Sequence, residues 1–506
     1  MSFPSFAPGA MPRPIATPRR AATPQRVKWG WLEWFLIAQT FIPAMLFLPG
    51  ISSIRFVIRV ASFALALVAW CMIFQSGKVR SGSRSFPATN WLKLTIGLLL
   101  LLVFHWNSNS PQSAFAQVVL YVAVFSPAFW AASVLKSSKQ LSRLMTIMLI
   151  CNGLSAMVGL GQVFRPQTFN PPFIPGVSDS QIDIGDGSTS LLSYKDEFGR
   201  TIVRPCGLSD MVGSAAGAGA TAALIGLAYF LRPIGKFKRL VCLGLAFCGI
   251  AVIYYSQVRA MLVMLIICLI VLMVLFAMQK SFGYATTIGT LGAVMIAGAM
   301  VWVMTTSGMV VVERFLGMAN EDFGQTYSKS RGGYVWAALT DVVWENPLGV
   351  GLGWWGTIYG ALGDHTKPNP YWIEVMIPAW VFDGGFPLLI LYVGAIVVTM
   401  FDTLRIALRA KDRELKFWAA VVFASNLSVV ATCFSYVTFV ATIGMQFWLL
   451  AAVVHAAESR LREETAAAAR ARLAGSQGQA PAPAAPSPPR QFPAAPPPGY
   501  PPTAPA

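Results

Sequence analysis

The chain has 506 residues, 55% hydrophobic and 12% charged, with a formal net charge of +17. A soluble domain carries about a quarter charged residues, so a water-soluble globular fold is excluded. Repeated runs of about twenty apolar residues predict an all-α polytopic membrane protein. The basic residues cluster in short loops and tails between those runs, which the bias towards positive cytoplasmic loops explains without a nucleic-acid partner.

Residues 1–28 are rich in Pro, Ala and Arg and precede the first apolar run. A signal peptide would place its apolar region nearer the start and end in a small-residue cleavage site, so this stretch reads as a disordered basic cytoplasmic tail. Twelve apolar runs follow, at 31–49, 56–75, 91–106, 115–135, 143–164, 211–231, 240–255, 260–279, 285–305, 384–402, 416–436 and 438–457. Every even-numbered run exits into basic residues: Arg80 and Arg84, Lys136 and Arg143, Arg232 and Arg239, Lys280, Arg405 and Arg409, Arg460 and Arg462. This alternation predicts twelve crossings with both termini cytoplasmic. After residue 457 the chain turns Ala/Arg-rich and then Pro-rich, a composition that cannot build a core and predicts a disordered cytoplasmic tail. The seven cysteines propose no disulfide and no CxxC metal motif: all but Cys206 lie in apolar runs. In the sixth run, SAAGAGATAALIG at 214–226 has the small-residue spacing of close helix packing.

Two odd-numbered exits are long, 165–210 and 306–383, and long loops in a compact protein carry function. The first contains Pro-Pro, the aspartates Asp179, Asp183 and Asp186, and then RTIVRPCGLSD. The second holds SRGGYVWAALTDVVWENPLGVGLGWW, followed by GDHTKPNPYWIEV. Its charge, tryptophans and glycines are too polar to face hydrocarbon, so the segment is expected to fold back on the outer surface. Tyr334, Trp336, Leu339 and Val343 have the spacing of an amphipathic helix lying on the bilayer. Asn346-Pro347 ends that helix, and Gly349, Gly351 and Gly353 allow a tight turn. This glycine run follows no strand, which rejects a dinucleotide fingerprint.

Arg259 stands in a short turn, YYSQVRAML, between two apolar runs. An arginine there either snorkels to headgroups or makes the bidentate phosphate contact its guanidinium suits. His365 is the histidine of the long outer loops, with an unperturbed pKa suited to general-base work; His105 and His455 sit at run ends. There is no HExxH, nucleophile elbow or P-loop in a fitting context, so an enzyme here is expected to work without a metal, a cofactor or a covalent intermediate.

Ser256-x-x-Arg259, Arg331-xxxx-Trp336, Asn-Pro-Leu-Gly-Val-Gly-Leu-Gly at 346–353 and RPCGL at 204–208 occur in an order that resembles the O-antigen ligase/polymerase family. The likeness covers about residues 31–457 through short, degenerate motifs. It implies a bacterial inner-membrane glycosyltransferase acting at the periplasmic face on a glycan carried by undecaprenyl pyrophosphate. The acceptor would be another lipid-linked repeat (a polymerase), lipid A core (a ligase) or a protein hydroxyl. Arg259 and Arg331 would then clamp the pyrophosphate and His365 would take the acceptor's proton. Arg204, Trp336, Gly351, Asn369 and Tyr371 would contact substrate. The family places asparagine directly after the histidine, whereas Thr366 follows His365 here and Asn369 comes four residues later. The Asn369–Tyr371 stretch therefore competes for the catalytic position, with Asp364, Glu374 and Asp383 as further candidate bases. Chain-length or export partners would meet the cytoplasmic tails. Two other readings stand beside this one: a small-anion secondary transporter, for which Arg59 inside the second run speaks, and a membrane organiser acting through its Pro-rich tail.

Overall fold

The structure, a computed structural model, describes residues 29–48, 50–76, 85–170, 193–195, 199, 201–209, 211, 213–309, 311–313, 315, 317, 327–367 and 373–477. The basic tail 1–28, the aspartates of the first outer loop, Asn369, Tyr371 and the Pro-rich end lie outside these residues.

The chain is built of helices: α1 Trp31–Ala44, α2 Arg55–Gln75, α3 Thr89–Leu102, α4 Pro111–Phe125, α5 Pro127–Val134, α6 Gln140–Phe164 and the single turn α7 Pro166–Phe169. A short antiparallel hairpin follows, β1 Ser193–Lys195 paired with β2 Thr201–Val203. Then come α8 Ser214–Phe230, α9 Lys236–Ser256, α10 Arg259–Met278, α11 Phe282–Ser307, α12 Gly356–Leu362, α13 Met376–Arg409, α14 Arg413–Thr432 and α15 Thr442–Gln477. A helix lies over each of the twelve apolar runs. Among the described residues, eight spans are long and apolar enough to cross a membrane, α4 and α5 counting as one bent span; α1 with its final 3-10 turn, α3 and α8 are shorter apolar helices, and α15 falls in neither group. Start signals are local: Ser110 accepts the Ser113 N–H ahead of Pro111, and Asp412 accepts the Leu415 N–H at 2.7 Å.

Helix α15 runs twenty residues past 457, where a disordered tail was expected to begin. Its extension, ESRLREETAAAARARLAGSQ, is dominated by Ala, Arg, Glu and Leu, which are among the strongest helix formers.

Side-chain contacts gather the basic exits at one end of the bundle. Glu33 accepts from Gln140 at 2.8 Å and Arg143 at 3.4 Å, and Arg232 pairs with Glu414 at 2.9 Å. Gln279 donates to the Ala407 carbonyl at 2.8 Å. Asp402 bridges His455 and Arg405, each at 2.7 Å, and Arg405 reaches Glu458 at 3.2 Å. The Phe86 ring packs edge-on to His455. The small residues of α8 close the bundle interior: a Cβ on Gly219 would come within 2.4 Å of the Gly249 carbonyl of α9, so only glycine permits that backbone approach.

The opposite end is organised by a break in α13. Gly384 and Gly385 leave helical geometry, Gly385 at φ +60°. The Phe382 carbonyl, which an unbroken helix would pair with Phe386, instead accepts from Val350 at 2.7 Å and Gly351 at 3.2 Å. Phe386 N–H in turn donates to the Pro347 carbonyl at 3.0 Å. The turn after the surface helix is thus inserted into the break and satisfies both freed backbone groups, which is what allows irregular backbone at a membrane boundary. The tenth apolar run, expected to begin at 384, begins at this break.

Candidate functional site

Three groups of predicted residues line the non-basic end. The first is the turn between α9 and α10. Gln257 adopts a left-handed conformation, φ +52°, to reverse the chain, and Arg259 becomes the first residue of α10. Arg204 braces this turn: its Nε donates to the Ser256 carbonyl at 3.0 Å and its Nη2 to the Gln257 carbonyl at 3.4 Å. The chain just after Arg204 is fixed by Gln162 of α6, whose Oε1 accepts the N–H groups of Cys206 and Gly207 at 2.8 and 2.9 Å. Gln162 Nε2 returns a bond to the Gly207 carbonyl at 2.9 Å. Two carbonyls at the end of α9 thus engage Arg204, which braces the turn that carries Arg259. Cys206, expected in an outer loop, is buried by the same clamp.

The second group surrounds Arg331. The surface helix covers Ser328–Gly332, Gly333–Ala337, Ala338–Val342 and Val343–Glu345, the first and third pieces being π-helical turns. Such wide turns are rare and occur often at functional sites. Arg331 lies in the first and pairs with Glu374 at 3.3 Å, both half-exposed. Tyr327 stacks over Gly332, where a Cβ would lie 2.6 Å from its ring, and its hydroxyl donates to the Phe434 carbonyl at 2.8 Å. Burial raises the pKa of the Tyr327 phenol, and Arg331 opposes that shift. The amphipathic pattern differs from the expected one. Trp336 and Trp344 are 71% and 70% exposed, with Tyr334 and Leu339 beside them, while Val343 turns inward with Ala338 against Val381 of α13. The wide turns shift the helical register by about one residue each, so Val343 leaves the face that 3.6-residue periodicity assigns it.

The third group holds His365. Gly349, Gly351 and Gly353 all have positive φ, and a Cβ on Gly351 would lie 2.8 Å from the Ser108 nitrogen. Gly351 is therefore needed for the close approach of the turn to the 103–110 loop. The His365 loop is fastened to that same loop: Asp364 N–H donates to Asn109 Oδ1 at 2.6 Å, and the Lys367 ammonium caps the Ser108 and Asn109 carbonyls. His365 itself is exposed, with the Tyr359 ring edge-on at 4.9 Å. The Thr366 hydroxyl and N–H hold the Asp364 carboxyl below the usual carboxylate range.

Asp383, a candidate base, is fully buried and engaged by three donors: Tyr121 at 2.7 Å, Trp355 at 2.9 Å and Gln117 at 3.5 Å. It ties α4, the glycine turn and α13 together and is out of reach of any acceptor, so it is a structural lock. Glu374, already held by Arg331, is the carboxylate of that set beside a predicted cation.

Among the described residues, no group of three or more His, Cys, Asp or Glu side chains is placed to hold a metal ion. Sequence reasoning missed Gln162 and the locking role of Asp383. Gln162 carried a signal, a polar amide near the end of an otherwise apolar span, where an unpaired polar group is costly. When the chain is compared with known proteins, no family model matches it and no curated protein matches it.

Proposed function

We propose that this chain is a polysaccharide polymerase of the bacterial inner membrane. It would transfer a glycan from undecaprenyl pyrophosphate to the hydroxyl of an acceptor sugar at the periplasmic face, both termini being cytoplasmic and all twelve helices crossing the membrane. The observation that carries this reading is the braced turn that presents Arg259 as the first residue of α10 at the non-basic end. A helix N-terminus with a guanidinium attached is a natural seat for phosphate. Arg331 supplies a second cation, and its exposed ion pair with Glu374 is weak enough for a diphosphate to displace. Charge grows on the leaving diphosphate as the glycosidic bond breaks, so fixed cations lower the barrier directly. The exposed imidazole of His365 is the base for the acceptor hydroxyl. Transfer to lipid A core or to a protein uses the same donor and the same clamp, and stands as the alternative acceptor chemistry.

The test is to replace Arg259 and Arg331 singly by alanine, follow membrane insertion by immunoblot and resolve the surface glycan on gels. Each variant is expected to insert normally and to lose at least about a hundredfold in assembly rate, the loss typical of removing one fixed transition-state donor. Full activity in both would remove the clamp. In a strain lacking the gene, single repeats mark a polymerase and full-length polymer on its carrier marks a ligase. The transporter reading gains from the break in α13, since discontinuous helices line transport sites; an unchanged glycan profile would favour it.

A further inference from the structure

We propose that the flank of the basic end binds an anionic phospholipid, its phosphodiester headgroup on Lys236, Lys238 and Lys280 and its acyl chains along the first turns of α9 and α11. The connections that carry these lysines are far apart in sequence but meet on one side chain, Phe417 of α14. The Arg232 guanidinium lies over the Phe417 ring at 5.7 Å, Phe276 of α10 stacks on it at 5.4 Å, and Tyr284 of α11 meets it edge-on at 6.0 Å. Gln279 ties the α10–α11 turn to the same place, donating to the Lys416 carbonyl at 3.4 Å. The α8–α9, α10–α11 and α13–α14 connections therefore form one surface.

Charge on that surface is one-sided. Residues 232–239, 279–284 and 409–416 hold nine Lys and Arg against two carboxylates, Asp412 and Glu414. Both carboxylates are engaged: Asp412 accepts the Leu415 N–H at 2.7 Å, and Glu414 pairs with Arg232 at 2.9 Å. The arginines of the α8–α9 connection are engaged as well. Arg239 donates through Nε and Nη2 to the Arg232 carbonyl at 3.2 and 3.0 Å, and Arg232 is held between Glu414 and the rings of Phe417 and Trp418. The lysines differ. Lys236, Lys238 and Lys280 are exposed, and among the described residues no carboxylate pairs with them.

The chemistry of the occupant follows from what stands beside those lysines. Phe237, Leu240, Met278 and Phe282 lie on the same turns and are each more than half exposed. A nucleic acid or an acidic protein surface would answer the charge and leave these apolar side chains in water. A phospholipid answers both: its phosphate takes the ammonium groups, and its acyl chains cover the rings and aliphatic side chains. Basic clusters between spanning helices recruit anionic lipids in this way. Lysines on two separate connections suit a headgroup with two phosphodiesters better than one with a single phosphate. This site is independent of the proposed glycosyl transfer.

The experiment uses the full chain in phosphatidylcholine nanodiscs, with thermal unfolding as the readout. The probes are tetraoleoyl cardiolipin, phosphatidylglycerol and inorganic phosphate. Cardiolipin is expected to raise Tm saturably, since a ligand that binds the folded state stabilises it, and phosphatidylglycerol to do so only at higher concentration. Each lysine beside an anionic headgroup is worth about fivefold in affinity, so Lys236→Gln with Lys280→Gln should weaken cardiolipin by on the order of twentyfold. Both side chains are exposed, so the lipid-free Tm should not move. The matched control, Lys136→Gln with Lys139→Gln, removes the same charge from exposed lysines of another connection at this end. It should change affinity by less than about twofold, because separated surface charges are screened. Phe237→Asn, which keeps every charge, should also weaken cardiolipin. An equal loss in the control would mean diffuse attraction without a site and overturns the proposal. So would the same stabilisation by inorganic phosphate, or none by either lipid. Phosphatidylglycerol acting as strongly as cardiolipin, with the same loss in the lysine pair, would support the site and assign it to a single phosphodiester.

Discussion

The two ends of the bundle handle their arginines differently. At the basic end, Arg143, Arg232, Arg405 and Arg462 each face a carboxylate, and Asp402 links His455 to that network. At the other end, Arg204 is spent on helix-terminal carbonyls and Arg331 holds a single half-exposed carboxylate. Paired charges close a surface, whereas cations set on carbonyls and weak pairs leave positive potential for an anion. On the proposed function, the contrast separates an end whose arginines are sealed from one that would receive a substrate anion.

That contrast can be broken in order of severity. Gly385→Val should have the largest effect, because a Cβ there would meet the Pro347 carbonyl at 2.0 Å and the residue sits at φ +60°. Backbone strain of roughly 1–3 kcal/mol adds to that clash, and folded protein should be lost on size-exclusion chromatography. Asp383→Ala should come next. Stranding the donors of Tyr121, Trp355 and Gln117 is expected to lower stability by about 3 kcal/mol or more in thermal unfolding, with the glycine turn loosened.

Arg204→Ala sharpens the comparison within the receptive end. If the arginine positions the turn, activity should fall about tenfold, less than in Arg259→Ala, because only the bracing bonds are lost. A loss equal to that in Arg259→Ala would make Arg204 a direct phosphate contact. The smallest effect concerns pH. The folded state holds Asp364 below its ordinary pKa, so its contribution is present above the unfolded value near 3.8 and fades as pH falls through the lower folded value. Asp364→Asn should flatten the loss of Tm below about pH 4, and an unchanged acid profile would show the Thr366 contacts to be without consequence.

Much of the architecture was legible in the chain. Apolar length located the helices, and the basic residues after alternate runs converge on one end through Gln140–Glu33, Arg232–Glu414 and Gln279–Ala407. Glycine spacing located both the α8–α9 contact and the turn at 349–353. What local pattern could not give was pairing over long sequence distances. That Asp383 is buried depends on Tyr121, 262 residues away, and that Arg204 braces a turn depends on Ser256 and Gln162. A helix was expected and is found between 328 and 345, but its exposed face differs from the expected one, because two wide turns reset its register. Composition likewise fell short of the end of the last helix: the change after 457 marks the exit from an apolar run, while the helix continues to Gln477.

The unbroken run of α15 has a geometric consequence. Arg460 still donates to the Leu135 carbonyl, and beyond it residues 462–477 add sixteen helical residues, with the side chains at 462–470 exposed. At 1.5 Å per residue that is a rod of about 24 Å. The far end of the helix at Gln477 therefore stands about three Debye lengths from the last residue packed on the bundle, taking a Debye length of about 8 Å at physiological salt. At that separation the charges of the bundle are screened from the end of the helix.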